Sequence, residues 1–417
     1  MKKSKGWLYL PIEVKVRETD AKLLLAYYAA KEGYRVVTGD HVMVEMASEV
    51  YPKGIFFSKG YSHGVRKRVI TNAEHYGHTI VELDEEGLLI KPKQYIRDRM
   101  RRDMLQLVKQ EYCWGNYQKK VIHDVNPDFE QKCFVTGNLR FDLLKPKFSR
   151  IYQKEAEGII HKYGKFVLIN TRFTRYNTPK GKQENVYFQD IKALYYHFLA
   201  LVKEMSVKYP RMNFIIRPHP GEDFNSYQKE FAHYKNVYII HEGNIIKWLM
   251  AAEVVIHNGC TSGIETFLLG KPLISYVPIS SKKKGMNLPN QLGMKAASNA
   301  EVAAGLSAVL KNDNKESFNH YEKDLYDFCE WSADTYSYET ILRLCSTISL
   351  PESPGVFSLP QKTFSIKNKK QRKRRFSLTE EEIYNFFGKL DEIEDEVSPI
   401  YIKKLGKNLF KIEREMD

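Results

Sequence analysis

Tyr9-Leu10-Pro11-Ile12-Glu13-Val14, then Ala21-Lys22-Leu23-Leu24-Leu25-Ala26-Tyr27-Tyr28-Ala29-Ala30-Lys31, then Gly33 and Tyr34-Arg35-Val36-Val37-Thr38: these runs set the fold class. The first and last are short, apolar and extended, and predict strands. The middle run carries apolar residues around most of a helix, with Thr19-Asp20 as its N-cap and Gly33 as its stop. Strand, helix, glycine, strand is the rhythm of a parallel sheet. It continues through Gly54 to Phe57, Arg68 to Tyr76 and Thr79 to Leu83.

The rhythm restarts after Lys145-Pro146. A helix is expected over Tyr152 to Tyr163, strands over Phe166 to Asn170 and Asn213 to Arg217, and a long helix over Asp190 to Lys208. Short strands are expected at Val237 to Ile240, Val254 to His257 and Pro272 to Tyr276, with a helix from Ser262 to Leu269. The expectation is an α/β chain of two doubly wound domains, residues 1–148 and 149–350, with the active site in the cleft between them. Residues 351–417 read as a linker and a tail. Pro351-Glu352-Ser353-Pro354-Gly355 is the linker, and Lys367 to Arg375 holds seven cations in nine residues. An acidic helix-like run from Glu380 to Glu396 and a basic amphipathic end complete a tail read as an accessory.

At 417 residues and 43% hydrophobic content the chain can bury two cores. No apolar run approaches the length of a spanning helix. The opening Met1-Lys2-Lys3-Ser4-Lys5-Gly6 looks like a secretory leader, but Pro11 and Glu13 interrupt the apolar run after it and there is no small-residue cleavage site. A soluble cytoplasmic protein, peripheral on the inner membrane face through Lys367 to Arg375, is expected. The five cysteines are scattered without C-x-x-C pairing, so reduced thiols are expected rather than a disulfide framework or a zinc site. The net charge of +14 implies attraction to phosphate in some form.

Three constellations fall where predicted strands end, the edge at which α/β folds hold ligands. Asp84-Glu85-Glu86-Gly87 comes directly after the strand Thr79 to Leu83. Crowded carboxylates suit proton removal from an acceptor hydroxyl, and acidic residues before glycine equally suit a solvated turn. Arg217-Pro218-His219-Pro220-Gly221 closes a strongly apolar strand. Its prolines aim the imidazole, and Arg217 adds a permanent cation beside it. His257-Asn258-Gly259-Cys260-Thr261-Ser262-Gly263-Ile264-Glu265 turns from strand into helix. Backbone N–H groups and hydroxyls at that turn suit a phosphate, or Thr261 or Ser262 is simply an N-cap. Glu265 completes a capping box or holds a ribose diol. Asn170, at the end of the strand Phe166 to Asn170, is a further donor contact. Phosphate-loop and G-x-G-x-x-G signatures are absent, as is a D-x-D pair, which argues against a P-loop NTPase and a standard NAD enzyme, and no metal or other cofactor is expected.

These motifs, with Leu10 to Glu18 and Thr136-Gly137-Asn138-Leu139-Arg140-Phe141-Asp142, resemble bacterial surface-carbohydrate biosynthesis proteins of the GT-B fold over residues 7–346. They are also similar to the acidic, His-Pro and Ser/Thr motifs of bacterial sialyltransferases and Kdo transferases, which use CMP-activated 2-keto acid sugars. The resemblance implies two Rossmann-like domains facing across a cleft. It implies a catalytic carboxylate among Asp84, Glu85 and Glu86, and a nucleotide held by Arg217, His219, Pro220, Gly221, Asn258, Thr261, Ser262, Gly263, Glu265 and Asn170. The partners implied are a nucleotide-sugar donor and a glycan or lipid-linked glycan acceptor. The competing readings are a CDP-alcohol transferase of the teichoic-acid type, which shares the His-Pro and Ser/Thr features, and a UDP-sugar enzyme on the same fold. From another class comes a basic nucleic-acid-binding module, which has no RNP-type or zinc-finger motif to support it.

Overall fold

The structure, a computed structural model, describes residues 4–88, 91–279, 288–311, 322–332, 334–350 and 376–415. The linker at 351–355 and the basic run at 367–375 lie outside the described residues. Among the described residues no helix is long and apolar enough to cross a membrane.

The chain divides into two compact units, residues 1–151 with 326–417, and residues 152–325. The first boundary lies three residues from its expected place, but residues 326–350 return to the first unit instead of closing the second. Asp142 explains the return. Its buried carboxylate accepts the backbone N–H groups of Ser337 and Tyr338, both at 3.0 Å, and so caps the helix Ser337–Ser346. Tyr338 stacks on Tyr28 with ring centroids 4.0 Å apart. Burial pushes the Asp142 carboxyl up to about 6, against the lowering effect of Lys145 and the two N–H groups.

The first sheet contains β1 (Gly6–Ile12), β2 (Tyr34–Asp40), β3 (Ile55–Ser58), β4 (Thr79–Leu83), β5 (Val108–Cys113) and β6 (Cys133–Val135), in the order β2-β1-β3-β4-β5-β6, all parallel. All seven residues of β1 are buried, as a strand covered on both faces requires. The helix after β1 begins at Lys15, not at Ala21. Val14 gives it no side-chain cap, so the Thr19-Asp20 signal falls inside the helix.

The second sheet contains β7 (Phe166–Asn170), β10 (Asn213–Arg217), β11 (Val237–Ile239), β12 (Val254–His257), β13 (Leu273–Tyr276) and β14 (Met294–Ala296). A small separate hairpin, β8 (Asn177–Thr178) with β9 (Gly181–Lys182), precedes the helix Gln189–Lys208. The sheet order is β11-β10-β7-β12-β13-β14, again parallel. Ranked by position in the chain this is 3-2-1-4-5-6, the order of a dinucleotide-binding fold, with its switch point between β7 and β12. Aromatic and aliphatic side chains such as Phe173, Tyr195, Phe198, Phe214 and Tyr276 pack the core on one face of that sheet.

The tail is part of the first sheet rather than an accessory. Thr379 and Glu382 form a capping box that opens the helix Glu380–Glu394. That helix lies against Lys15–Lys31, with Tyr27 Oη donating to Asp391 at 2.6 Å and Tyr27 edge-on to Phe387. The chain ends in a hairpin of β15 (Ile400–Gly406) and β16 (Leu409–Arg414), and β16 pairs antiparallel with β2. Gly39 permits this docking. Its φ is +141°, and a Cβ there would stand 2.0 Å from the Asn408 carbonyl.

Candidate functional site

In the second unit Arg217, Asn170, His257 and Ser275 stand in one register row across four strands. The expected site residues therefore leave the same edge of the sheet. The helix Thr261–Leu268 has Cys260 as its N-cap, without a side-chain capping bond. Thr261 and Ser262 are therefore its first two residues, whose N–H groups have no intrahelical acceptor and carry the positive end of the helix dipole. The Ser262 hydroxyl accepts from Asn170 Nδ2 at 2.9 Å and donates to Cys260 Sγ at 3.0 Å, which fixes it at the switch point. Gly259, at φ +61°, carries the turn; its carbonyl accepts from Arg172 Nη1 at 2.7 Å. A helix N-terminus, an oriented hydroxyl and a guanidinium in this arrangement can form an anion cradle.

Several motif residues serve this cradle without facing a ligand. His257 is fully buried between the Ser275 hydroxyl and the Cys260 N–H, and burial pushes its pKa down to about 3, so it is neutral. A Cβ on Gly263 would lie 2.5 Å from the His257 ring, so this glycine is needed for helix–strand packing. Asn258 spends its amide on the Tyr276 carbonyl at 2.7 Å. Glu265 is buried inside the helix, and Ser262 is not the N-cap, so the expected capping box with Ser262 does not form.

Arg217 departs from expectation. Its guanidinium donates to the carbonyls of Glu242 and Gly243, at 2.9 and 2.6 Å, and lies over the Trp248 ring. Burial lowers its pKa to about 10, and the cation fastens the loop after β11 instead of reaching for phosphate. His219, Pro220 and Gly221 are exposed. His219 Nδ1 accepts from the Gly221 N–H at 3.1 Å, which places the proton of the neutral ring on Nε2. Glu222, which no sequence motif singles out, is the organiser of this loop. Its buried carboxylate accepts from the His219 N–H at 3.1 Å, the Thr171 hydroxyl at 2.9 Å and the Tyr227 hydroxyl at 2.5 Å. It ties the loop after β10 to the loop after β7, and burial raises its pKa.

In the first unit the three acidic residues after β4 sit in three environments. Asp84 is 0% exposed; its Oδ1 accepts from Arg99 Nη1 at 2.7 Å and from the Glu86 N–H at 2.8 Å. Burial pushes it up to about 7, with Arg99 opposing. Asp84 thus shapes the turn from inside. Glu85 is buried on Lys22 Nζ at 2.9 Å. Burial alone would raise its pKa, but Lys22 and Lys59 hold it below the ordinary carboxylate range. Glu86 keeps half its side chain in solvent and pairs with Arg17 at 2.6 Å. Around them Lys59 binds both Glu18 oxygens, at 2.7 and 2.9 Å, and Glu13 at 3.1 Å. Burying Lys22, Lys59, Glu18 and Glu85 costs several kcal/mol per ion before pairing, an expense typical of functional sites. This ladder draws on the helix Lys15–Lys31 and on the loops after β1, β3 and β4, around the β1/β3 switch point of the first sheet. The sequence signal for it was the Glu18/Lys22 spacing, which puts both on one helix face.

No protein-family model and no curated protein matches the chain. In structure it is similar to the wall teichoic acid polymerase TagF, in a variant form, with 11% identity and a TM-score of 0.53 over 82% of this chain and 87% of that one. It is similar to the UDP-GlcNAc 2-epimerase of Methanocaldococcus jannaschii, with 13% identity and a TM-score of 0.52 over 82% and 99%. The Neisseria meningitidis UDP-GlcNAc 2-epimerase bound to UDP-GlcNAc gives 12% and 0.50 over 82% and 100%. The chain has the GT-B fold. In this fold the two parallel sheets are the two Rossmann-like domains.

Proposed function

We propose that the chain is a transferase that moves a group from a nucleotide-activated donor to a surface-glycan acceptor. The observation that carries this reading is the switch-point cradle of Asn170, Thr261 and Ser262, with Arg172 on one side and the His219 loop on the other. In this reading the donor's phosphate takes the Thr261 and Ser262 N–H groups, His219 Nε2–H and the Ser262 hydroxyl, whose proton turns to it from Cys260 Sγ. These stabilise the leaving nucleotide as charge develops on it, with no metal required. Gly259 carries the turn that lets the backbone approach, Gly263 keeps the helix packed on His257, and Glu222 positions His219.

The donor is read as a nucleoside diphosphate derivative: a UDP-sugar, in accord with the name of the epimerase neighbour, or the CDP-alcohol of the teichoic-acid-type reading. A CMP-linked 2-keto sugar is the second reading, favoured by the Glu85-Glu86-Gly87 turn at the end of β4. In both readings Glu86 is the general base, because it alone of the three acidic residues combines exposure with an adjustable partner, Arg17. Glu85 stays ionised as a fixed charge, and Asp84 is a positioning residue. Anchorage of the enzyme to anionic lipid through residues 367–375 belongs to the same proposal.

The test is nucleotide release from UDP-GlcNAc, CDP-glycerol and CMP-N-acetylneuraminate, each offered with mixed bacterial glycan acceptors. Turnover of one donor, abolished in Glu86→Gln while nucleotide binding persists, is the expected result. Turnover of none, with no nucleotide bound, sinks the reading.

A further inference from the structure

The segment between β7 and the helix Gln189–Lys208 is longer than a sheet crossover needs, and it is basic. It holds Arg172, Arg175, Lys180 and Lys182 against Glu184 alone, and the first turn of the helix adds Asp190 and Lys192. Its base is clipped beside the His219 loop. A Cβ on Gly221 would stand 3.2 Å from Thr174 Cγ2, and Asn177 exchanges bonds with the backbone of Asp223 at 3.2 and 3.3 Å. Ser226 Oγ adds a third clip to Asn177 at 3.0 Å. From that base β8 and β9 project as a hairpin.

The hairpin is built to hold its charges outward. Lys182 Nζ lies 5.2 Å from the ring centroids of both Tyr195 and Tyr196, and donates to the Tyr196 hydroxyl at 3.4 Å. The Tyr176 and Tyr196 hydroxyls bond at 3.0 Å, and Tyr196 keeps 45% of its surface in solvent. Lys192 pairs with Glu184 at 2.6 Å, whereas Arg175, Lys180 and Lys182 form no ion pair among the described residues. Tyr176 and Tyr195 are buried and hold Tyr196 in place, the exposed Tyr196 ring suits a sugar, and three cations without carboxylate partners suit phosphodiester or carboxylate groups spaced along a chain.

We propose that this hairpin and its tyrosine cluster bind a polyanionic glycan chain beside the nucleotide site. Naming that chain the acceptor rests on the transferase reading; the binding itself does not. The anion source, phosphate or carboxylate, is left to the experiment's arms. Single-stranded nucleic acid, which also uses cations and aromatics, becomes an outcome of the test.

The experiment uses the full chain and the triple variant Arg175→Gln, Lys180→Gln, Lys182→Gln, whose side chains can change without disturbing the core. The probes are short glycerol-phosphate oligomers, oligosialic acid, neutral dextran oligomers and a single-stranded DNA oligomer, each titrated at about 50 and 200 mM salt. The expected result is binding of at least one anionic glycan, weakened by salt, with no binding of dextran. The triple variant should lose about tenfold in that affinity or more, while nucleotide binding changes by less than about twofold. The proposal is overturned if neither anionic glycan binds, if the triple variant binds them equally, or if DNA binds more tightly than both. Failure of the transferase reading would show separately, as absence of nucleotide binding by the unaltered chain.

Discussion

Replacing Asp84 with Asn should abolish a specific pH dependence of stability. Asp84 is enclosed by Arg99, by the Glu86 N–H and by the Gly60 backbone, where a Cβ would stand 2.3 Å from the Asp84 Cγ. Asn keeps the shape and the Oδ1 acceptor but cannot ionise. In the folded chain the Asp84 carboxyl titrates near 7 because burial outweighs Arg99. In the unfolded chain it titrates near ~3.9. Its folded value is raised, so its stabilising contribution is complete below about pH 4 and is lost as pH rises through about 7. At about 1.4 kcal/mol per decade, the wild-type advantage over Asp84→Asn should shrink by about 4 kcal/mol between pH 4 and pH 8. Urea unfolding followed by tryptophan fluorescence measures this, since Trp114 Nε1 donates to the Asp84 carbonyl at 2.5 Å. A difference that stays flat, or grows with pH, would show that Arg99 and not burial governs Asp84.

Three further outcomes are expected from the bonds of the two units. Glu222→Gln leaves only one acceptor for the Thr171 and Tyr227 hydroxyls and loosens His219, so nucleotide affinity should fall about tenfold, or about 1.4 kcal/mol, by calorimetry. Asp142→Ala strips the cap from Ser337–Ser346 and should cost about 1–2 kcal/mol, with limited proteolysis cutting first within 326–350. Gly263→Ala drives a methyl into the His257 ring and should cost about 1–3 kcal/mol in the second unit, read by thermal melting, while displacing the helix N-terminus from the nucleotide.

The strands β4, β7, β10 and β12 were legible to the residue because each has a short apolar run, broken only by Glu82 in β4, stopped by a polar or glycine-rich turn. The placing of Ser262, Thr261 and Asn170 together at one sheet edge was legible for the same reason, since a strand end fixes where the next residues stand. What escaped was tertiary. The Arg217 guanidinium could point to a ligand or to a neighbouring loop, and only the carbonyls of Glu242 and Gly243 decide it. Glu222 adjoins the His-Pro motif, yet its role depends on Thr171, which arrives from another strand. Lys22 and Lys59 look like surface lysines until the folded loops bring Glu85 and Glu18 onto them. The closing strand Leu409–Arg414 alternates apolar and polar residues only from Phe410 to Glu413, and its partner β2 lies at the other end of the chain, beyond the reach of local pattern.

The central claim is that the second unit's switch point binds the nucleotide of an activated donor. Calorimetric titration of UDP, CDP, UMP and CMP into the full chain and into His219→Ala tests it most directly. Selective binding of UDP or CDP is expected, with a loss of about tenfold or more in the variant. Binding of none of the four nucleotides, or binding undiminished in His219→Ala, would contradict it.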